Sequence, residues 1–262
     1  MGYYLVTGAT GVLGKEFCRG LLARGKKELF LTGRSAEKLS ALADELSAIG
    51  EDVRIVTFSC SLSEPEEIGN MFRFADDKGI SFSGYIAVAG VDTQKAFEKY
   101  DEKKIVGQIR VNDEGNLLCF RAALERRDAG VFDVLCVASM CGTVPIPYFA
   151  LYSASKAFLI SFYSAVRKEL SSARVSVLVP GSIPTRPDVV ADIEKQGITA
   201  KLSAKSPAFV VRKGLDGLEK NKRIVIPGLW NRFNYVMEKI VPTAILLSFT
   251  SGHWKKKEKD AF

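Results

Sequence analysis

Seven short aliphatic or β-branched runs, at residues 4–6, 29–31, 54–58, 85–88, 134–138, 175–179 and 224–226, recur along the chain with longer stretches of helical period between them. Parallel neighbours cannot be joined by a tight turn, so each return across a sheet needs a crossover, and a helix supplies it. The helical stretches fall at 14–24, 36–48, 65–78, 102–125, 152–170 and 207–219. Seven strands and six crossovers predict an α/β fold, a doubly wound parallel sheet in a single domain over 1–262. No repeat, low-complexity linker or break in composition divides it.

Composition removes most competing chemistries. There is one histidine, His253, which excludes a Ser-His-Asp hydrolase, a Cys-His protease and any two-histidine metal site. Five cysteines (Cys18, Cys60, Cys119, Cys136, Cys141) form no C-x-x-C pair and are odd in number, so neither a disulfide framework nor a zinc module is expected, and the expected compartment is the cytoplasm. The net charge of +7 comes from 37 basic and 30 acidic residues that are interspersed, as on a solvated enzyme surface, and nucleic acid is not an expected partner. The first residues enter an apolar strand with neither a basic leader nor a cleavage site, so no secretion signal is expected.

Directly after the first strand stands Thr7-Gly8-Ala9-Thr10-Gly11-Val12-Leu13-Gly14. Glycines three apart at a strand-to-helix turn let backbone N–H groups and a helix N-terminus face a pyrophosphate, and the βαβ context makes dinucleotide binding the expectation. A bare structural turn is the alternative. The second strand ends in Thr32-Gly33-Arg34, 20 residues past the last motif glycine, where an acid would grip the ribose of NAD. The position is basic, and a guanidinium pairs with a 2′-phosphate, so NADP (NADPH) is expected over NAD.

Tyr152 and Lys156 stand at i and i+4, one face of a helix, where a cation is expected to lower the phenol pKa. The same spacing occurs at Tyr100–Lys104 and Tyr235–Lys239, so the pair alone decides nothing. Ser139, thirteen residues before Tyr152 and at the end of an apolar strand, singles out the first pair; the equivalents for the others are Ala87 and Lys222.

With those residues in place the chain resembles the short-chain dehydrogenase/reductase family, from the first strand through at least Thr185, and the resemblance implies a Rossmann-type sheet. It also implies a catalytic set of Ser139, Tyr152 and Lys156 supported by Asn112. Pro180-Gly181-Ser182-Ile183-Pro184-Thr185 resembles the family's nicotinamide-flanking segment. The implied cofactor contacts are Gly8, Thr10, Gly11, Val12, Leu13, Gly14, Arg34, Ser61, Leu62, Ala89, Gly90, Tyr152, Lys156, Pro180, Gly181, Ile183 and Thr185. Three departures stand out. The glycine spacing is that of the family's extended members. Ala87-Val88-Ala89-Gly90 replaces N-N-A-G, and Ser61 stands where an aspartate is common. The two replacements predict altered adenosine contacts and leave the hydride chemistry untouched.

The resemblance implies hydride transfer between the nicotinamide and a carbonyl or secondary alcohol. Ser139 and Tyr152 would hold the carbonyl, Tyr152 would act as general acid/base, Lys156 would hold the ribose and lower the phenol pKa, and Asn112 would anchor a water. Tyr148, Phe149 and the tail suggest an apolar substrate. The segment 182–204 is expected to be a substrate lid. Two other readings remain: a non-catalytic NADP(H)-binding scaffold or sensor, and a nucleotide-sugar epimerase, against which the short remainder after the sixth strand counts. The tail, 230–262, holds an uncharged run over 240–252 followed by Lys255, Lys256, Lys257 and Lys259. It is too short to span a bilayer. It is expected to pack on its own domain, on a second subunit of a homo-oligomer, or on a membrane surface.

Overall fold

The computed structural model describes residues 2–185, 187–195, 198–254 and 259–260. Seven parallel strands make one sheet: β1 (Tyr3–Thr7), β2 (Glu28–Gly33), β3 (Arg54–Ser59), β4 (Phe82–Ala87), β6 (Phe132–Val137), β7 (Ala173–Leu178) and β8 (Ile224–Val225). Their order is β3-β2-β1-β4-β6-β7-β8, so the chain winds outward one way from β1 and then the other way from β4. All seven predicted strands are present. A separate antiparallel pair joins β5 (Thr93–Gln94) to β9 (Lys259–Asp260).

Alternation along each strand sends neighbouring side chains to opposite faces. Leu5, Phe30, Phe82, Tyr85 and Val134 join one buried cluster with α3 (Pro65–Asp77), α5 (Gly115–Glu125) and α6 (Ala150–Glu169). Tyr4, Val6, Leu29, Leu31 and Leu135 join the other, with α1 (Val12–Leu22), α2 (Ala36–Ser47) and α9 (Pro207–Glu219). Helix starts follow local chemistry: Ser35 accepts from the Lys38 N–H at 3.3 Å, and Ser206, before a proline at the first position of α9, accepts from the Phe209 N–H at 3.3 Å.

The predicted helix over 102–125 is in fact two helices, α4 (Glu102–Ile109) and α5, joined by a π-helical turn, Arg110–Glu114. At Gly115 a Cβ would stand 2.2 Å from the Leu62 carbonyl oxygen, so only glycine lets α5 start this close to the loop after β3. The segment 182–204 holds α7 (Pro187–Lys195) and α8 (Ile198–Ser203). The tail folds into α10 (Leu229–Ile240) and α11 (Thr243–Trp254) before β9.

Candidate active site

β1 and β4 are neighbours from which the chain departs in opposite directions, and the crevice beyond their carboxyl ends is where such sheets hold ligands. Thr7 closes β1, and its hydroxyl accepts from the Val88 and Ala89 N–H groups at 3.2 and 3.4 Å, stitching the two strand ends together. Gly8 has φ +64°, and a Cβ there would lie 2.9 Å from the Ala89 Cα; a Cβ on Gly14 would lie 2.2 Å from the Gly8 carbonyl oxygen. The turn is therefore closed on itself by glycine. α1 begins at Gly11 with no side-chain cap and no acid in its first turn, which leaves its N–H groups for an anion.

In front of this turn lies a cavity of about 1010 Å³. It is lined by Gly8, Thr10, Gly11, Val12, Leu13, Gly14, Arg34, Ser61, Leu62, Ala89, Gly90 and Thr185, all expected from the sequence. α4 adds Lys103, Lys104, Val106 and Gly107, which sequence reasoning did not single out. Pro180, Gly181 and Ile183 are not on this wall: Pro180 accepts from the Met140 N–H at 2.9 Å, Gly181 faces Ser203 and Asn231, and Ile183 packs on the second core cluster. The donor set, an open helix N-terminus with a guanidinium at the rim, suits a dinucleotide with a phosphate-bearing ribose.

Tyr152 and Lys156, also expected at the cofactor, are not on this wall either; with Ser139 and Asn112 they gather behind its Gly90 edge. Ser139 follows β6 and starts a short 3-10 turn; its oxygen accepts from the Cys141 N–H at 3.1 Å, and its hydroxyl is near enough to the Tyr152 phenol to oppose the rise in its pKa. Gly142 carries that turn against α6, since a Cβ on it would lie 2.6 Å from the Lys156 carbonyl carbon. Lys156 is 4% exposed, donates to the Val137 carbonyl at 3.1 Å and sits 5.5 Å from the centre of the Tyr152 ring. Asn112 is fully buried on the π turn. Gly90 joins both halves: a Cβ on it would stand 3.3 Å from Lys156 Nζ and 3.4 Å from Asn112 Oδ1. The sequence pattern of the short chain dehydrogenases matches residues 3–196. The chain belongs to the short-chain dehydrogenase family.

Its relatives carry related names. An 11-beta-hydroxysteroid dehydrogenase-like 4A of Arabidopsis thaliana is 26% identical over 251 residues, covering 92% of this chain and 81% of that one. Dehydrogenase/reductase SDR family member 7B of Mus musculus is 30% identical over 246 residues, covering 85% and 72%. Among solved structures, a 7beta-hydroxysteroid dehydrogenase superposes with a TM-score of 0.83 at 26% identity, covering 95% of this chain and 96% of that one. The protein is thus an NAD(P)-dependent short-chain dehydrogenase, and the cavity at the glycine turn is where such an enzyme would take its cofactor.

Electrostatics in this dehydrogenase depart from the expectation at the phenol. Burial raises the Tyr152 pKa above its ordinary value, Cys141 and Asp92 add to the rise, and Ser139 only partly opposes it. The direction is opposite to the one expected from the i, i+4 cation, because desolvation by burial is the largest contribution. Burial likewise lowers the Lys156 pKa, against the pull of Cys136, Asp113 and Asp92. Asn112 spends both amide hydrogens on protein partners, the Val91 carbonyl at 2.9 Å and the Ser155 hydroxyl at 3.1 Å, and its oxygen accepts from the Val91 N–H at 2.8 Å. Its side chain clamps the Val91 loop to α6, and its oxygen retains a lone pair that a water can reach.

The other two tyrosine–lysine pairs lie elsewhere. Tyr100 donates to the Thr93 carbonyl, and Tyr235 packs on the core with Lys239 5.3 Å from its ring centre. Phe149 is expected near the substrate from the sequence, whereas Trp254 and Glu238 carry no local signal there. Phe149, 5% exposed, stacks on Tyr152 with ring centres 4.5 Å apart, and Trp254 at the end of α11 stacks on the far side of Phe149 at 5.1 Å. Glu238 on α10 accepts a hydrogen bond from Thr143, in the loop after Ser139. Among the described residues no group of His, Cys, Asp and Glu could hold a metal ion.

Proposed function

We propose that this short-chain dehydrogenase interconverts a carbonyl and a secondary alcohol on an apolar substrate, with NADP(H) as its cofactor and Tyr152 as general acid/base. The observation that carries the reading is the meeting of Ser139, Tyr152 and Lys156 at the Gly90 edge of the cavity. The bound cofactor supplies a hydride to the carbonyl carbon in the reductive direction. Ser139 and Tyr152 donate hydrogen bonds to the carbonyl oxygen, and Tyr152 gives it a proton as negative charge develops, so one hydride and one proton are consumed per alcohol formed. A phenol kept protonated by burial suits the donor role. Lys156 supplies the ammonium through which that proton is replaced, and Asn112 holds the loop and helix on either side of it.

Arg34 supports NADP(H): it lies at the cavity rim and is exposed, where a 2′-phosphate would meet it. The Phe149–Trp254 stack and the hydroxysteroid substrates named for the relatives support an apolar, ring-bearing substrate. The helices of 182–204 would close over it as a lid. All five cysteines are unpaired, which suits the reducing cytoplasm, and the exposed Leu118 and Phe158 offer a face for a homo-oligomer.

The test is NADPH oxidation with a panel of aliphatic, aromatic and polycyclic ketones. Wild type is expected to turn over polycyclic ketones, and Tyr152→Phe to lose about 10³-fold in rate while binding NADPH normally. Reduction that persists in the variant overturns the reading. Wild type that binds NADPH and reduces nothing returns the non-catalytic scaffold. Arg34→Ala is expected to weaken NADPH binding about tenfold and to leave NADH unchanged.

A further inference from the structure

Helix α10 has two unlike sides. Facing inward, Asn231 donates to the carbonyls of Ser203 and Pro227 at 3.0 and 2.8 Å, Tyr235 packs on the core, and Glu238 reaches Thr143. Facing outward are Leu229, Phe233, Val236, Met237 and Ile240, whose spacing sets all five within an arc of about 100°. They are 81%, 54%, 54%, 37% and 69% exposed. Scattered apolar residues are ordinary on a protein surface, but five on one stripe of a single helix form a patch that calls for a partner. The next helix is apolar too: α11 has no charged residue over 243–252 and carries Ile245, 59% exposed.

Charge chooses the occupant. The cations of α10, Arg232 and Lys239, are both exposed and lie along one edge of the stripe, Arg232 with its Nε on the Ile226 carbonyl, whereas the helix's acid, Glu238, is turned inward. The sequence then continues through Lys255, Lys256 and Lys257, which lie outside the described residues. A second copy stacked antiparallel on this face would set the basic edge against itself. An anionic bilayer satisfies both parts, acyl chains meeting the stripe and headgroups the cations. No helix among the described residues is long and apolar enough to cross a membrane, so the contact lies in the plane of the interface.

We propose that α10 and α11 seat this dehydrogenase on an anionic lipid surface, so that the element touching lipid is the one that ends on the ring stack of Tyr152. The claim is independent of the carbonyl chemistry, because its readout is sedimentation and not turnover. Full-length protein is spun with phosphatidylcholine vesicles with and without phosphatidylserine. Wild type is expected to pellet with the phosphatidylserine vesicles and to be released by salt. Phe233→Ser with Ile240→Ser should lower vesicle affinity at least about tenfold. Lys255→Glu with Lys256→Glu and Lys257→Glu should lower it on the anionic vesicles only. NADPH binding serves as the check of folding, and Leu229→Ser with Val236→Ser repeats the test if the first pair fails that check. Wild type that stays in solution, equal pelleting with both vesicles, or stripe variants that bind like wild type would each overturn the proposal. So would a stripe variant whose mass by light scattering in the absence of lipid is half that of wild type, since the face would then belong to a second copy.

Discussion

The Asn112 amide, seated in the π turn, donates to the Ser155 hydroxyl at 3.1 Å, one residue before Lys156. Its remaining bonds hold both backbone groups of Val91, next to Gly90. Asn112→Leu keeps the volume and removes all three bonds, leaving Lys156 free to shift against the cavity edge. The expected loss is about 10- to 100-fold in kcat, with NADPH binding changed much less. Steady-state kinetics beside a fluorescence titration of NADPH separate the two. A loss confined to binding would mean that the clamp serves the cofactor alone.

Trp254 and Tyr152 lie on opposite sides of the Phe149 ring. Trp254→Ala removes the outer wall of this stack. KM for polycyclic ketones should rise about tenfold, an offset-stacked pair being worth about 1 kcal/mol beyond its buried area, while the smallest ketones on the panel change little. Equal effects on large and small substrates would show that the ring holds structure and does not select.

Burial raises the Asp113 carboxyl to about 6, with the Lys156 ammonium pulling the other way. The folded protein therefore binds this proton more tightly than the unfolded chain does. The group favours folding below about pH 4, and that contribution is lost as pH climbs through about 6. Asp113→Asn should be more stable than wild type by about 2 kcal/mol at neutral pH and no more stable near pH 4. Urea denaturation at the two pH values checks this, and a gap that does not widen with pH contradicts it.

At the other end of the sheet Asp133, 3% exposed, accepts from Arg174 at 2.6 and 2.8 Å and from the Tyr4 hydroxyl at 2.7 Å. Asp133→Ala strands a guanidinium and a phenol. Partial exposure of Arg174 tempers the cost to about 2–3 kcal/mol. The midpoint of urea unfolding should fall accordingly, with NADPH affinity at room temperature unchanged.

The seven strands were readable because buried parallel strands need unbroken aliphatic runs, and the strand ends then located Ser139 and the glycine turn. The π turn was not, since neither proline nor glycine interrupts 110–114; it follows from the tertiary bonds of Asn112 and the approach of Gly115 to Leu62. Nor does i, i+4 spacing encode the sign of the Tyr152 shift, which burial sets. The contact of Trp254 with Phe149 joins residues 105 apart, beyond any local pattern.

The groups proposed to handle the proton sit on the π turn, the end of β6 and α6, whereas the ring that backs Phe149 arrives on α11. On the proposed reading, chemistry and selectivity then occupy separate stretches of polypeptide. Drift in the last two helices can redirect the enzyme to new molecules with its reaction intact, and a graft of those helices between relatives should carry the preference across with them.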